Sequence, residues 1–160
     1  MILLMILVAA AVALTDWATK LLAVKGLNDA VVVIANILEL RLTHNNGMAL
    51  GFLAGNRIAS LLMPLIINIV AWYMLRSYIP TRYMRVVEGL VLGGFVGNFA
   101  ERLIFGSVVD MIYFPFLPWF ICNVADIAIC AGVALLIISL LFRPQDWREK
   151  IAEDKQVSGE

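Results

Sequence analysis

The sequence predicts an all-α membrane protein with four transmembrane helices, plus a small β-sheet and a loop on the external surface. Hydrophobic residues make up 62% of the 160-residue chain and charged residues only 15%. An ordinary soluble domain has about 45–50% and about 25%. The apolar residues gather into four runs, each near the roughly 20 residues a helix needs to cross hydrocarbon. Between the first two runs, Leu38-Glu39-Leu40-Arg41-Leu42-Thr43 alternates apolar and polar side chains, the period of a half-buried strand.

The first span runs from Met1 to about Ala23 and is interrupted by Thr15-Asp16 and Lys20. No basic residue precedes it, so it lacks the charged start of a secretory signal peptide and is expected to be a retained helix. The second runs from about Ile58 to Leu75, with Pro64 as an expected kink and Asn68 as a polar interior residue. The third covers about Val86 to Phe105, and the fourth about Trp119 to Phe142. Residues 1–142 thus form one membrane domain, with a surface sheet and loop over about 24–57. In that stretch Asn45-Asn46-Gly47 reads as a turn, and Met48 to Phe52 returns the chain to the membrane. Its length and position predict that it caps a site and opens to admit a ligand. Residues 143–160 form a polar tail whose first part extends the fourth span as an amphipathic turn and whose end is disordered.

Loop charges orient the spans. Arg76, Arg82 and Arg85 lie between spans two and three, and Arg143, Arg148, Lys150 and Lys155 in the tail. The positive-inside rule makes both segments, and both termini, cytoplasmic. Lys20, Lys25, Arg41, Arg57 and Arg102 are spread over longer stretches on the other side. Trp72, Tyr73, Tyr78 and Trp147 form one expected aromatic belt, and Trp17, Tyr113 and Trp119 the other.

A net charge of zero gives no indication of nucleic acid as a partner. Cys122 and Cys130 are eight positions apart in one apolar segment, a rise of about 12 Å on a helix and too far for a disulfide within it. With His44 the only histidine and no zinc-type spacing, a structural metal site is not expected. His44 has no paired cysteine or serine and is read as a surface or strand-end residue.

Asp110 and Asp126 carry the strongest functional signal. A lone carboxylate at mid-membrane costs roughly 2.5–3.5 kcal/mol, so such residues face a protein interior or water. Neither has a basic residue at i±3 or i±4. The loop between them returns the chain to the same face, where they can meet. Two close carboxylates do not both ionise easily, which leaves a base to activate water and an acid to protonate a leaving amine. Two unrelated interfacial aspartates with access to water would leave the same trace. Asn123, one turn before Asp126, is placed to donate to a substrate carbonyl or to orient a carboxylate. Gly94, Asn98, Glu101 and Arg102 share one side of the third span. They are either a stripe aimed at an interior site or a self-neutralising Glu/Arg pair. Asp16 and Lys20 are an i, i+4 pair, structural or substrate-facing. Gly89, Gly93 and Gly97 at intervals of four permit close helix approach.

Taken in order, Asp16-x-x-Thr19-Lys20, Thr43-His44-Asn45-x-Gly47-x-Ala49, Gly93-Gly94-x-x-Gly97-Asn98-x-x-x-Arg102, Val108-Val109-Asp110 and Asn123-x-Ala125-Asp126 resemble the lipoprotein signal peptidases, or signal peptidase II. The resemblance covers about residues 5 to 142. It implies a bacterial inner-membrane aspartic endopeptidase with four helices and a periplasmic sheet. The implied reaction removes the signal peptide from a diacylglyceryl-modified prolipoprotein, cutting just before the lipidated cysteine. Asp110 and Asp126 would be the catalytic pair. Asn45, Gly47, Asn98, Arg102 and Asn123 would line the substrate pocket, and Asp16, Lys20 and Glu101 would support it. The implied site faces the periplasm, uses no metal or cofactor, and works in a monomer among membrane lipids. The chain departs from the family pattern at Trp17, Leu50, Glu101 and Cys122, where Gln or Arg, Phe, Asp and Phe are usual. A catalytically impaired relative, a membrane scaffold and a small transporter are the rival readings. A transporter needs polar residues through the depth of the bundle, where span two offers only Asn68.

Overall fold

The computed structural model describes residues 1–47, 56–78 and 80–148. The expectations for Met48 to Phe52, Leu50 included, and for the tail beyond Arg148 lie outside those residues, as does the 48–55 part of the expected capping stretch. Four long helices carry the fold: α1 (Ile2–Gly26), α2 (Arg57–Leu75), α3 (Arg82–Phe105) and α4 (Val124–Phe142). Three of them, α1, α4 and Ile58–Leu75 of α2, are long and apolar enough to cross a membrane. The 24-residue α3 is comparable in length but carries Arg82, Arg85, Glu88, Glu101 and Arg102.

Local chemistry sets the helix ends. Helix α3 starts at Arg82 because the Thr81 hydroxyl accepts from the Met84 N–H (3.2 Å). It stops at Gly106, whose φ of 78° suits a residue without Cβ. The fourth helix starts at Val124 rather than Trp119, because Asn123 and Asp126 close a reciprocal capping box. Helix α2 runs through Pro64, where the Asn68 amide donates to the Pro64 carbonyl (2.9 Å).

Helices α1 and α3 pack in parallel and α3 against α4 in the opposite sense. Glycines set both contacts. A Cβ at Gly93 would lie 2.6 Å from the Ala9 carbonyl oxygen, and one at Gly94 2.5 Å from that of Ala125. Gly89 and Gly97 meet α1 in the same way, so the expected close approach is built by this stripe. Burial along α1 is inverted relative to a soluble helix: its buried residues are Asp16, Lys20 and Ala23, while Leu3, Leu7, Leu14 and Leu22 are exposed. That pattern suits a bundle whose solvent is lipid.

The sheet is larger than the pattern at Leu38–Thr43 indicates. It is antiparallel in the order β1 (Val31–Ile34), β2 (Leu38–Asn45), β3 (Val108–Tyr113), β4 (Ile121–Cys122). Asp110 sits mid-strand on β3, a strand the sequence pattern does not indicate. Strand β3 escaped notice because it is buried on both faces: Val108, Asp110, Met111 and Tyr113 are all covered. Such a strand shows no alternation. Tyr113, expected in an aromatic belt, is buried beneath the Arg41 guanidinium (4.0 Å).

Pairing of β2 with β3 shifts by one residue between Leu40↔Ile112 and Thr43↔Asp110. Without the shift Leu42 would oppose Asp110. The extra residue puts Thr43 there and carries Asn45 onto the Asp110 face, since side chains alternate with period two.

At the end of the bundle away from the sheet, the chain after α4 forms a separate 3-10 turn, Pro144–Trp147, rather than an extension of the helix. Its Asp146, 1% exposed, accepts from the Thr81 hydroxyl (2.6 Å), the Ser139 hydroxyl (2.9 Å) and Arg143 Nε (2.6 Å). Trp147 stacks edge-on against Tyr78 (5.2 Å). This clasp ties the start of α3 to the end of α4. Burial by itself would raise the Asp146 pKa, but the three hydrogen bonds hold it below the ordinary carboxylate value. The clasp's contribution is therefore complete above that ordinary value and is lost as pH falls through the lowered one. Asp146→Ala is expected to destabilise the protein by about 1.5–3 kcal/mol, the worth of a hydrogen bond to a charged group. Thermal unfolding in detergent at neutral pH measures it.

Candidate active site

Asp110 and Asp126 arrive at the sheet end of the bundle from β3 and from the first turn of α4. One residue, Asn123, connects them. Its Nδ2 donates to Asp110 Oδ1 (2.6 Å), its Oδ1 accepts from the Asp126 N–H (2.9 Å), and its own N–H donates to Asp126 Oδ2 (3.3 Å). The orientation of this amide is forced. Its oxygen must meet a backbone donor, so its nitrogen must meet the carboxylate. The sequence placed Asn123 beside Asp126 but gave no sign that it also reaches Asp110.

A second amide, Asn98 on α3, backs the pair. Its Nδ2 donates to Asp126 Oδ1 (2.8 Å) and its Oδ1 accepts from Lys20 Nζ (2.9 Å) and from Asn123 Nδ2 (3.1 Å). Lys20 has only donors, which fixes this amide too. Lys20 Nζ also meets Asp16 Oδ2 at 2.6 Å and Glu101 Oε2 at 2.9 Å, so three acceptors surround an ammonium that is 2% exposed. Asp16 uses its other oxygen to take the Ala125 N–H (2.8 Å). Glu101 also takes the Val109 N–H (3.1 Å), next to Asp110.

From the sheet side, Asn45 Nδ2 donates to Asp110 Oδ2 (2.9 Å), and Asn45 Oδ1 accepts from the Gly47 N–H (2.9 Å). The buried Arg102 reaches the Gly47 carbonyl through Nη2 (3.1 Å). Every residue the sequence selected is in this one connected network: Asp16, Lys20, Asn45, Gly47, Asn98, Glu101, Arg102, Asp110, Asn123 and Asp126. Of the alternatives left open above, Glu101 and Arg102 do not pair with each other. Glu101 turns to Lys20 and Arg102 to the turn at Gly47. His44 is exposed, away from these contacts.

The electrostatics favour a retained proton. Four carboxyls, Asp16, Glu101, Asp110 and Asp126, share the region with two cations, Lys20 and Arg102. Burial pushes Asp110 up to about 6; the Asn45 and Asn123 hydrogen bonds oppose this and the Asp126 charge adds to it. Burial also pushes the Cys122 thiol up to about 12, so it stays neutral beside the pair and offers no thiolate nucleophile at neutral pH. Among the described residues no cluster of metal-ligating side chains is present. A cavity of about 420 Å³ opens between the end of α1 and strands β2 and β3, lined by Leu22, Ala23, Leu40, Met111, Ile112 and Val124 among others.

The chain is similar to known proteins along most of its length. Residues 8–142 match the family model described as signal peptidase (SPase) II. A protein from Syntrophotalea carbinolica named lipoprotein signal peptidase is 35% identical, covering 92% of this chain and 92% of its own length. One of the same name from Bacillus subtilis is 33% identical over 84% of this chain and 91% of its own length. A solved bacterial membrane enzyme superposes with a TM-score of 0.74 at 31% identity, covering 91% of this chain and 92% of that one.

The Lys20 ammonium is the part of the network whose loss is felt most widely. Lys20→Met is expected to destabilise the fold by roughly 3–5 kcal/mol, because it strands buried carboxylates without their partner. Equilibrium unfolding in detergent at neutral pH reads the loss.

Proposed function

The chain belongs to the signal peptidase II family, and from that premise we propose that Asp110 and Asp126 are the aspartic pair with which it removes signal peptides from prolipoproteins. The observation that carries this reading is that Asn123 serves both carboxyls, its side-chain amide donating to Asp110 and its backbone N–H to Asp126, with Asp110 raised to about 6. A raised pKa suits a carboxyl that exchanges a proton near neutral pH.

The chemistry follows from two carboxyls sharing one proton. The ionised member takes a proton from water as its oxygen attacks the scissile carbonyl carbon. The protonated member donates to the carbonyl oxygen in the tetrahedral intermediate. The C–N bond then breaks, and a proton passes to the departing nitrogen. The two carboxyls titrate as a pair, so the proton belongs to both. Asn98 and Asn123 hold the carboxylate oxygens in place, and Asn45, Gly47 and Arg102 form the rim the substrate meets. No metal or cofactor takes part in these steps.

The substrate is a prolipoprotein carrying a diacylglyceryl-modified cysteine, cut just before that residue. The apolar cavity between the end of α1 and the sheet supports a substrate with an apolar portion. Residues 1–142 act as the peptidase domain in the bacterial inner membrane, with α3 as a fourth span and residues 143–160 as a polar tail. Arg76, Arg82, Arg85, Arg143 and Arg148 all belong to the end away from the sheet, which the positive-inside rule makes cytoplasmic along with both termini. The site then faces the periplasm. The complete network within one chain supports a monomer as the working unit. The departures from the family pattern leave the pair intact: Glu101 reaches both Lys20 and the Val109 N–H, Trp17 is exposed, and Cys122 is buried and neutral. That supports an active enzyme over an impaired relative or scaffold.

Asp110→Asn and Asp126→Asn should each reduce cleavage of a lipidated prolipoprotein by at least about 10³-fold, within the range a catalytic group supplies. Retained cleavage in either variant overturns the assignment. Asn123→Ala should keep substrate binding and lower kcat about 10²-fold, the cost of misplacing reacting groups. The pH dependence of kcat/KM should bend near pH 6, where the Asp110 carboxyl exchanges its proton. A profile that is flat from about pH 4.5 to 8 contradicts a carboxyl pair.

A further inference from the structure

The hairpin of β1 and the start of β2 presents a surface that neither the carboxyl pair nor the helix packing uses. Val31, Val32, Val33, Ile34 and Ile37 are all between 48% and 59% exposed. Alternate residues of a strand point to opposite faces, so β1 is apolar on both. From Ala30 to Leu38 the only polar side chain is Asn36, at the turn, with φ 60°. The nearest cation on β2, Arg41, is drawn away onto Glu39 (2.7 Å) and the Tyr113 ring (4.0 Å). An edge strand in water is normally protected by charge or proline, and this one has neither.

Strand pairing and lipid are the two media that suit such an element, and the geometry separates them. Strand β1 is four residues long, and its pairing with β2 is irregular between Val32 and Ile34. A short, irregular edge is a poor template for an added strand. At the end of α1, past which exposed Lys25, Asn28 and Asp29 lead into β1, Leu21, Leu22 and Val24 are exposed too. On the β3–β4 turn at the same end of the bundle, Phe116, Leu117 and Trp119 are exposed as well.

We propose that the Val31–Ile37 hairpin is seated in the bilayer at the headgroup–acyl boundary, with its side chains among acyl chains and its free edge amides hydrated. A depth within the hydrocarbon is excluded, because open edge amides have no partners there. Because β1 pairs through Val31↔Leu40 and Val32↔Glu39 with the strand whose Asn45 holds Asp110, this seat sets the height of Asp110 relative to the membrane. The seat itself does not depend on the peptidase reading.

The experiment is spin labelling of the full chain in lipid nanodiscs, with Val32→Cys, Val33→Cys and Ile37→Cys made singly in a Cys122→Ala, Cys130→Ser background. At all three positions nitroxide collision with oxygen should exceed collision with a water-soluble nickel chelate, as side chains among acyl chains require. Val32 and Val33 report the two faces of the strand separately. Greater access for nickel at either of them overturns the proposal. Spin–spin broadening that grows with the number of chains per disc overturns it too, by assigning the edge to a second copy. These readings require no activity, so their failure is distinct from failure of the catalytic assignment.

Discussion

The Lys20 ammonium holds the sheet end of this protein together. Its three donors go to Asp16 on its own helix and to Asn98 and Glu101 on α3. Each acceptor then passes the constraint onward: Asp16 to the backbone of α4 at Ala125, Asn98 to Asp126, and Glu101 to the backbone of β3 at Val109. One buried cation thereby registers three helices and a strand. In a low-dielectric setting such a charge is tolerated only when fully paired, so the same requirement that places Lys20 also fixes the two aspartates relative to each other.

The interior is polar where the exterior is apolar. Large side chains facing outward from α1, α2 and α4 are mostly leucine, isoleucine and valine, while Asp16, Lys20, Asp110 and Asn123 are among the most buried residues near the sheet. Packing of the helices falls instead to glycine. Gly93 and Gly94 sit side by side on α3 yet face different helices, letting α1 and α4 both come close enough for Asp16 to reach the Ala125 N–H.

Much of this was legible in the sequence, because charge in an apolar run is conspicuous. Asp16, Lys20, Asp110 and Asp126 stood out for that reason, and the helix spans followed from hydropathy. Strand β3 did not, since burial on both faces erases its alternation. The one-residue shift in β2 was equally silent, although it turns Asn45 toward Asp110, because a bulge leaves no mark in composition. Asn123 was read as orienting a carboxylate, not as the cap that starts α4, and its contact with Asp110 depends on β3 pairing with β4. The clasp at Asp146 was missed entirely. Its partners Thr81 and Ser139 are ordinary in sequence and meet only when α3 and α4 lie antiparallel.

The parallel pairing of α1 with α3 bears on how the chain is made. Ribosomal synthesis delivers Asp16 and Lys20 long before Asn98 and Glu101 exist to receive them. During that interval the two charges have only each other, one helical turn apart on the same helix. Their spacing lets the newborn helix neutralise itself while it waits in the bilayer, and the later arrival of α3 keeps that couple and closes the cage around it.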